Sequence, residues 1–452
     1  THCVDNGNGA LQKWDFKQIQ AGFFRVKIRA AMSSRIILAF AEQLDMEGRP
    51  NMRALNSVNV IEIRVPAGEH TFISFEPYTV RYAEVLTMDG DAGIDGLQIF
   101  ELAYPKDKII SFYTDDTELM EIYNAAVNTF RHNALDIYMD CPSRERAGWL
   151  FDSYYTAKSE LAFTGKSVIE DEFLNNYRLG ASREDLGGMV DMCYPADVFS
   201  GSFIPQWSMW YILELNAYSN KRGRADKKEL FKEQILAQVR YFEGYENAFG
   251  LLEKLGGWNF VEWSALNGRV HDVSWPTNML YSAFLAAIGE LYGLNNLREK
   301  SERIRETVCE MGFDGRLFCD RAVRNENGKL VNTDEYSETA QYYALYFNLA
   351  DINSAKYGLI KDIVLGKTDL SEIEGYPDIE PSDAMPGLYL KTELLLKYKA
   401  YAYAKESIKM YFGPMAKESG TLWERKSGTA SRDHGFASFI GAAIQEICRD
   451  KS

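Results

Sequence analysis

Thr114-Asp115-Asp116-Thr117-Glu118 pairs an N-cap side chain with an acidic first turn, the pattern that opens a helix. Helical periodicity follows from about Asp116 to Leu135 and returns in about twelve segments before the C-terminus. They centre near Val127, Ala157, Leu174, Leu213, Val239, Phe284, Ile304, Ala344, Leu359, Leu394, Ala404 and Ile440. No strand-like run clearly alternates with them, which argues against a parallel α/β fold. Twelve amphipathic helices suggest six hairpins, closed into a toroid or stacked into a solenoid. No repeat of fixed period is visible, which disfavours the solenoid.

On the other side of that cap the chain reads as strands. Phe23-Phe24-Arg25-Val26-Lys27-Ile28 and Arg35-Ile36-Ile37-Leu38-Ala39-Phe40 are short and rich in β-branched and aromatic residues. Ile61-Glu62-Ile63-Arg64-Val65 alternates apolar with charged, as a half-buried strand does, and His70–Phe75 and Val80–Val85 continue the series. Asp89-Gly90-Asp91-Ala92-Gly93-Ile94-Asp95-Gly96 invites a calcium reading. Its glycine is misplaced and no closing Glu follows, so it reads as a turn. The expectation is an antiparallel β-sandwich over residues 1–110 and a helical domain over 111–452.

A chain of 452 residues can bury a large core and suggests two or three domains. Its formal net charge of −15 repels phosphate backbones and argues against a nucleic-acid partner. No apolar run reaches the roughly 20 residues that span a bilayer, so membrane insertion is not expected. Thr1 stands where Met would, so the chain reads as processed or excised from a longer one; its compartment, whether cytoplasmic or periplasmic, is not legible. Cys3, Cys141, Cys193, Cys309, Cys319 and Cys448 form no CxxC pair and read as free thiols. The five histidines make no HxxxH or HExxH spacing, so no metal and no cofactor are expected. Aromatic residues make up 13% of the chain, enough to fill a core and still leave rings for sugar faces.

Two loops carry the chemistry. In Asp140-Cys141-Pro142-Ser143-Arg144-Glu145-Arg146-Ala147-Gly148-Trp149-Leu150-Phe151-Asp152, Cys-Pro and Ala-Gly-Trp interrupt the helical period, which suggests a loop between two helices. It reads either as a solvated acidic-basic loop or as a site. In Gly420-Thr421-Leu422-Trp423-Glu424-Arg425-Lys426-Ser427-Gly428 a Trp-Glu pair sits in a second loop, and His434-Gly435-Phe436 follows at the start of the last helix. That pair reads either as a rim carboxylate beside a packed ring or as part of the same site. Glycosidic cleavage needs one carboxylic acid to protonate the leaving oxygen and one carboxylate to activate water or attack the sugar, and two converging loops would supply them. Trp207, Trp258, Glu262 and Trp263 are expected in further inter-helix loops.

At these residues the sequence resembles a family. Asp140–Asp152 is similar to the signature of the α-L-rhamnosidases of glycoside hydrolase family 78, and so is Thr421-Leu422-Trp423-Glu424 with His434-Gly435 downstream. The likeness extends to Trp14-Asp15-Phe16 through Val85, including Phe40-Ala41-Glu42, and to Thr339-Ala340-Gln341-Tyr342-Tyr343-Ala344-Leu345. The resemblance implies an (α/α)6 barrel behind a β-sandwich, an inverting mechanism, and a carbohydrate substrate ending in L-rhamnose. It implies Glu145 as general acid and Glu424 as general base. Asp140 and Asp152 would hold sugar hydroxyls, and Trp149 would line the pocket for the C6 methyl. Arg144, Trp207, Trp258, Glu262, Trp263, Trp423 and His434 complete the expected substrate-binding set.

The chain departs from the family pattern in places. The first motif lacks a residue that many members carry between Arg and Glu, Leu150-Phe151 replaces a common Thr-Gly, and Glu262 stands for an Asp. The family's C-terminal β-domain does not follow Ser452. An (α/α)6 glycosidase of other sugar specificity, a non-catalytic sugar-binding relative and a helical interaction scaffold are the competing readings. Arg144 and Arg146 flank Glu145, and a close cation lowers a carboxyl pKa where a general acid needs it raised. The expectation is that both arginines pair elsewhere, with Asp140 or Asp152, and leave Glu145 beside a ring such as Trp149.

Overall fold

The computed structural model describes residues 2–5, 11–181, 186–195, 202–383, 385–426 and 430–449. The Cys3 side chain, Ser427 and Gly428 lie outside the described residues. Seven strands come first: β1 (His2–Asp5), β2 (Leu11–Ala30), β3 (Ser34–Ala41), β4 (Val60–Val65), β5 (Gly68–Ile73), β6 (Tyr78–Asp89) and β7 (Ala92–Glu101). All their pairings are antiparallel, and β2 organises them. Its first half pairs with β1 and β6, and its second half with β5 and β7. From β6 the ladder continues to β3 and then β4.

The β2 register shifts between Asp15 and Gln20, where Lys17 takes a φ of 69° and its N–H is held by Asp15 Oδ1 at 2.7 Å. Such a bulge bends a strand and lets it serve two layers. The inward residues Trp14, Phe24, Val26, Ile36, Leu38, Phe40, Val85 and Leu97 form the core of this region. The turn expected over Asp89–Gly96 is shorter than its sequence suggested. Gly90 makes it at φ 88°, and Ala92–Gly96 already pairs with β2, because Ile94 and Leu97 have the core to bury.

Twelve α-helices follow among the described residues: α1 (Thr117–Asn133), α2 (Leu150–Thr164), α3 (Val168–Asn176), α4 (Pro205–Lys221), α5 (Lys232–Glu243), α6 (Trp275–Tyr292), α7 (Asn295–Met311), α8 (Glu338–Tyr346), α9 (Gly358–Val364), α10 (Gly387–Lys397), α11 (Tyr401–Ser419) and α12 (Phe439–Arg449). Each of the twelve expected centres falls inside one of them. Asp116 caps α1 by accepting the Leu119 N–H at 3.2 Å. Short strands also occur in this region, Arg321–Arg324 pairing with Leu330–Asn332 and Val273–Ser274. Among the described residues no helix is long and apolar enough to cross a membrane.

The chain forms two compact units. One comprises Thr1–Arg146, Lys158–Ile169 and Ile408–Ile444; the other comprises Ala147–Ala157, Glu170–Ser407 and Gln445–Ser452. Within the second unit α4 packs on α6, α6 on α8 and α8 on α10, while α7 lies against α6 and α9 against α8 and α10. Burial separates the two kinds of helix. In α6, 14 of 18 residues are buried, whereas α7 buries one stripe of Leu297, Ser301, Ile304 and Val308. A helix apolar all round belongs inside, and one with a single stripe belongs on the outer layer.

Phe24 is fully buried, with its ring 4.9 Å from Phe40 and 5.9 Å from Tyr78. Phe24→Ala should destabilise the β region by about 3–5 kcal/mol. Urea unfolding followed by far-UV circular dichroism reads the loss, and an unchanged midpoint would remove Phe24 from the core.

Candidate active site

The first unit holds both glutamates. The end of α1 builds their frame. His132 Nδ1 contacts Asp433 Oδ2 at 2.6 Å, and Asn133 donates to Asp433 Oδ1 at 3.1 Å. Thr129 Oγ1 accepts the Leu422 N–H at 2.8 Å, and Asn128 donates to Gly420 O at 3.1 Å. The Glu424 loop is therefore tied along α1. It closes on itself through Glu424 N–H to Ser431 O at 2.9 Å, His434 N–H to Leu422 O at 3.0 Å and the Thr421 hydroxyl to Arg432 O at 2.6 Å. The Gly435 N–H donates to Asp140 O at 2.7 Å and so joins this loop to the loop of Glu145. Only glycine fits there, since a Cβ would stand 2.4 Å from Met139 O.

Arg144 occupies the centre. Its Nε lies 2.5 Å from Glu145 Oε1. Burial works against its charge, but Glu145, Cys141 and Glu424 outweigh burial and hold the guanidinium firmly protonated. Arg144 thus senses the carboxylates of both loops. The expectation that both arginines leave Glu145 alone is corrected. Arg146 does turn away, because its φ of 51° directs it to Glu76 at 3.1 Å and over the Tyr78 ring, whereas Arg144 stays on Glu145. Burial raises the Glu145 carboxyl, but hydrogen bonding to Asp140 and the Arg144 charge together hold it below its ordinary range.

Asp140 is buried at 2% exposure, and Asp140, Cys141 and His434 bring one potential ligand atom each within 4.8 Å. Burial and the adjoining Asp140 and Glu145 push the Cys141 thiol well above its usual range, so that thiol keeps its proton. Trp423 donates its Nε1 hydrogen to Ser419 Oγ at 2.8 Å, and Arg432 covers its ring at 4.4 Å.

The second unit contains the remaining expected residues. Tyr194 N–H donates to Gly148 O at 2.9 Å and Leu150 N–H to Met192 O at 3.0 Å, which fixes Trp149 at the entry to α2. Gly148 permits this approach, since a Cβ would meet Tyr194 O at 2.2 Å. Asp152, expected in the loop, is already in the first turn of α2 and is buried. Trp207, also expected in a loop, lies in the first turn of α4, which Pro205 opens. Rings run on from there, with Trp149–Trp207 at 5.3 Å, Trp207–Phe260 at 5.4 Å, Phe260–Trp263 at 4.8 Å and Trp263–Trp258 at 5.9 Å. The row passes from Trp207 at 4% exposure to Trp258 at 40%. Gln206 anchors the Trp258–Trp263 loop by accepting Phe260 N–H at 3.0 Å and donating to Asn259 at 2.9 Å.

Glu262 accepts hydroxyls from Ser382 at 2.6 Å, Thr339 at 2.7 Å and Ser264 at 2.9 Å. Sequence reading passed over these partners, together with His132 and Asp433, although Thr339 lies in a stretch already singled out. Lone hydroxyls and histidines have no spacing that marks them.

Burial pushes the Glu262 carboxyl from its ordinary 4.5 up to about 7 despite these hydroxyls. The folded chain therefore keeps a proton there that the unfolded chain has lost above pH 4.5. That contribution to stability is complete below pH 4.5 and disappears as pH rises to about 7. Glu262→Gln should gain stability relative to wild type across this window, by on the order of 3 kcal/mol at most. Urea unfolding at both ends of the window tests this, and a stability difference independent of pH would refute it.

The model of the bacterial α-L-rhamnosidase six-hairpin glycosidase domain matches residues 107–365, more than half of the chain. That of the bacterial α-L-rhamnosidase concanavalin-like domain matches residues 12–101. No curated protein matches the chain. Among solved structures, the family 78 rhamnosidase of Bacillus sp. GL1 is similar with TM-score 0.84 at 18% identity, over 97% of this chain and 46% of that one. A Klebsiella oxytoca rhamnosidase with rhamnose bound gives 0.79 at 16% identity, over 96% and 87%. A Streptomyces avermitilis α-L-rhamnosidase complexed with L-rhamnose gives 0.68 at 17%, over 97% and 42%. The chain thus spans less than half of the Bacillus and Streptomyces proteins. The two matched ranges cover β2–β7, the Glu145 loop and the helices up to α9, and the chain belongs to the bacterial α-L-rhamnosidase family, glycoside hydrolase family 78.

Proposed function

We propose that the protein hydrolyses terminal α-L-rhamnosyl units from glycosides or polysaccharides with inversion, using Glu145 as general acid and Glu424 as general base. Family membership supports the sugar, as do the rhamnose-bound relatives. The observation that carries the residue roles is Arg144, which bonds to Glu145 and feels Glu424 from a loop nearly 280 positions later. Residues 1–110 act as the supporting β-domain and 111–452 as the catalytic domain.

In the reaction Glu424 takes a proton from water as its oxygen attacks the anomeric carbon. Glu145 gives a proton to the glycosidic oxygen as that bond breaks. Asp140, Asp152, Glu262 and His434 are the polar groups for sugar hydroxyls, and the Trp149–Trp207 edge receives the apolar C6 methyl. Trp258 and Trp263 extend the ring row towards solvent, and Trp423 backs the base loop. The hydrogen bond between Asp140 and Glu145 holds one proton between two carboxyls, which cannot both ionise cheaply at such range. Sugar binding at Asp140 and Arg144 then releases Glu145 to the burial that already favours its protonated form.

p-Nitrophenyl α-L-rhamnopyranoside should be cleaved, with β-L-rhamnose the first product by proton NMR; the α-anomer appearing first would sink the inverting assignment. Glu424→Gln should lose about 10²–10⁴-fold on every substrate, and Glu145→Gln should lose less when the leaving group needs little protonation. The pH profiles give a further check. Glu145 is held low in the free enzyme, so kcat/KM should fall off at lower pH than kcat as the acid form is lost. Arg144→Met should move that limb of kcat/KM to higher pH; a limb that stays put would mean Arg144 does not control the acid.

A further inference from the structure

We infer that Glu42, the residue after β3, is a positioning residue whose carboxylate ties the Glu145 loop to the Glu424 loop. This rests on the acid and base roles proposed above. Glu42 is buried at 6% exposure, and its Oε2 accepts the Arg432 N–H at 2.8 Å. Arg432 follows Ser431, which meets Glu424 twice. Ser431 O accepts the Glu424 N–H at 2.9 Å, and the Ser431 N–H reaches Glu424 Oε2 at 3.4 Å. Its other oxygen, Oε1, and the hydroxyl of Ser143, two residues before Glu145, are both buried without a hydrogen-bond partner among the described residues, and Ser143 is close enough to act on the Glu42 carboxyl. One carboxyl group therefore stands where both loops pass, within a few bonds of each proposed catalytic glutamate.

The charge there is not needed for packing. Arg432 sends its guanidinium to Glu418 and the Trp423 ring, so Glu42 receives only the backbone N–H of that residue. The charged groups facing Glu42 are Arg432 and Asp433 of the base loop, with Asp433 in turn paired to His132 of α1; the Glu145 loop offers the uncharged Ser143. Burial pushes Glu42 from 4.5 up to about 7, the Arg432 N–H pulling back and Asp433 adding to the rise. A buried carboxylate without a full ion pair is costly, and an amide of the same shape would avoid the cost. What glutamine cannot do is present an acceptor oxygen at both ends, one holding the Arg432 N–H and the other open to the Ser143 hydroxyl.

The test compares Glu42→Gln with wild type on p-nitrophenyl α-L-rhamnopyranoside. The variant should be at least as heat-stable as wild type and keep its KM, yet lose about 10–10²-fold in kcat, the scale of a small misplacement of reacting groups. The ratio of wild-type to variant kcat should be near one well below pH 7 and rise through about 7, where Glu42 ionises. Other titrations cancel in that ratio, and a merely structural role would leave it flat. Ser143→Ala should show part of the kcat loss without adding to that of Glu42→Gln, and it carries the test should the Gln variant fail to fold. An active wild type with Glu42→Gln equal to it at every pH overturns the inference alone. A wild type inactive on every rhamnoside overturns the rhamnosidase reading and this inference with it.

Discussion

The 2.7 Å hydrogen bond from Gly435 N–H to Asp140 O is the join on which the rest of the site depends. It brings together two chain segments almost 300 positions apart, and loop-closure entropy opposes any such meeting. The fold meets that cost by laying both segments along one helix. α1 supplies His132 and Asn133 to Asp433, Thr129 to Leu422 and Asn128 to Gly420, so the later loop is already registered when Gly435 reaches Asp140. A side chain at 435 would break the join, which explains why a histidine-glycine pair rather than a histidine alone marks the sequence.

Each unit buries carboxylates and answers several of them with hydroxyls and amides. Glu262 has three hydroxyls, Glu42 a backbone amide, and Asp433 an imidazole and a side-chain amide. Each such donor favours the ionised carboxylate, but burial outweighs the donors at Glu262 and Glu42 and leaves both carboxyls raised. Full ion pairs are found instead at Arg131–Glu101 and Arg269–Asp320, where chain segments are pinned together.

The fold was legible wherever a period had to bury a face. Ile304 and Val308 repeat at helical spacing, and Ile61–Val65 alternates, so α7 and β4 declare themselves. β7 was missed because Gly93, Asp95 and Gly96 look like turn residues; only their pairing with β2 makes them a strand. Trp207 and Asp152 were placed in loops because Pro205 and Ala-Gly-Trp read as breaks, whereas both stand at helix starts, where Pro is welcome. The two glutamates were visible through their motifs. Ser382 and Ser431 were not, and Glu42 was seen only as part of Phe40-Ala41-Glu42, because their meaning lies in which distant segment they touch.

Arg144 shows where such reading meets its limit. Sequence logic asked the cation to leave the general acid, and the structure keeps it there at 2.5 Å. The two statements are compatible once the states are separated. The Arg144 guanidinium, against Glu145 and within the field of Glu424, is a counter-charge that both loops share. On the roles proposed above, a sugar whose hydroxyls drew the hydrogen bonds of Arg144 and Asp140 away from Glu145 would leave burial to raise its proton affinity. The arginine that depresses Glu145 is then also the group that holds the acid loop beside the base loop, and one interaction links substrate binding to proton readiness.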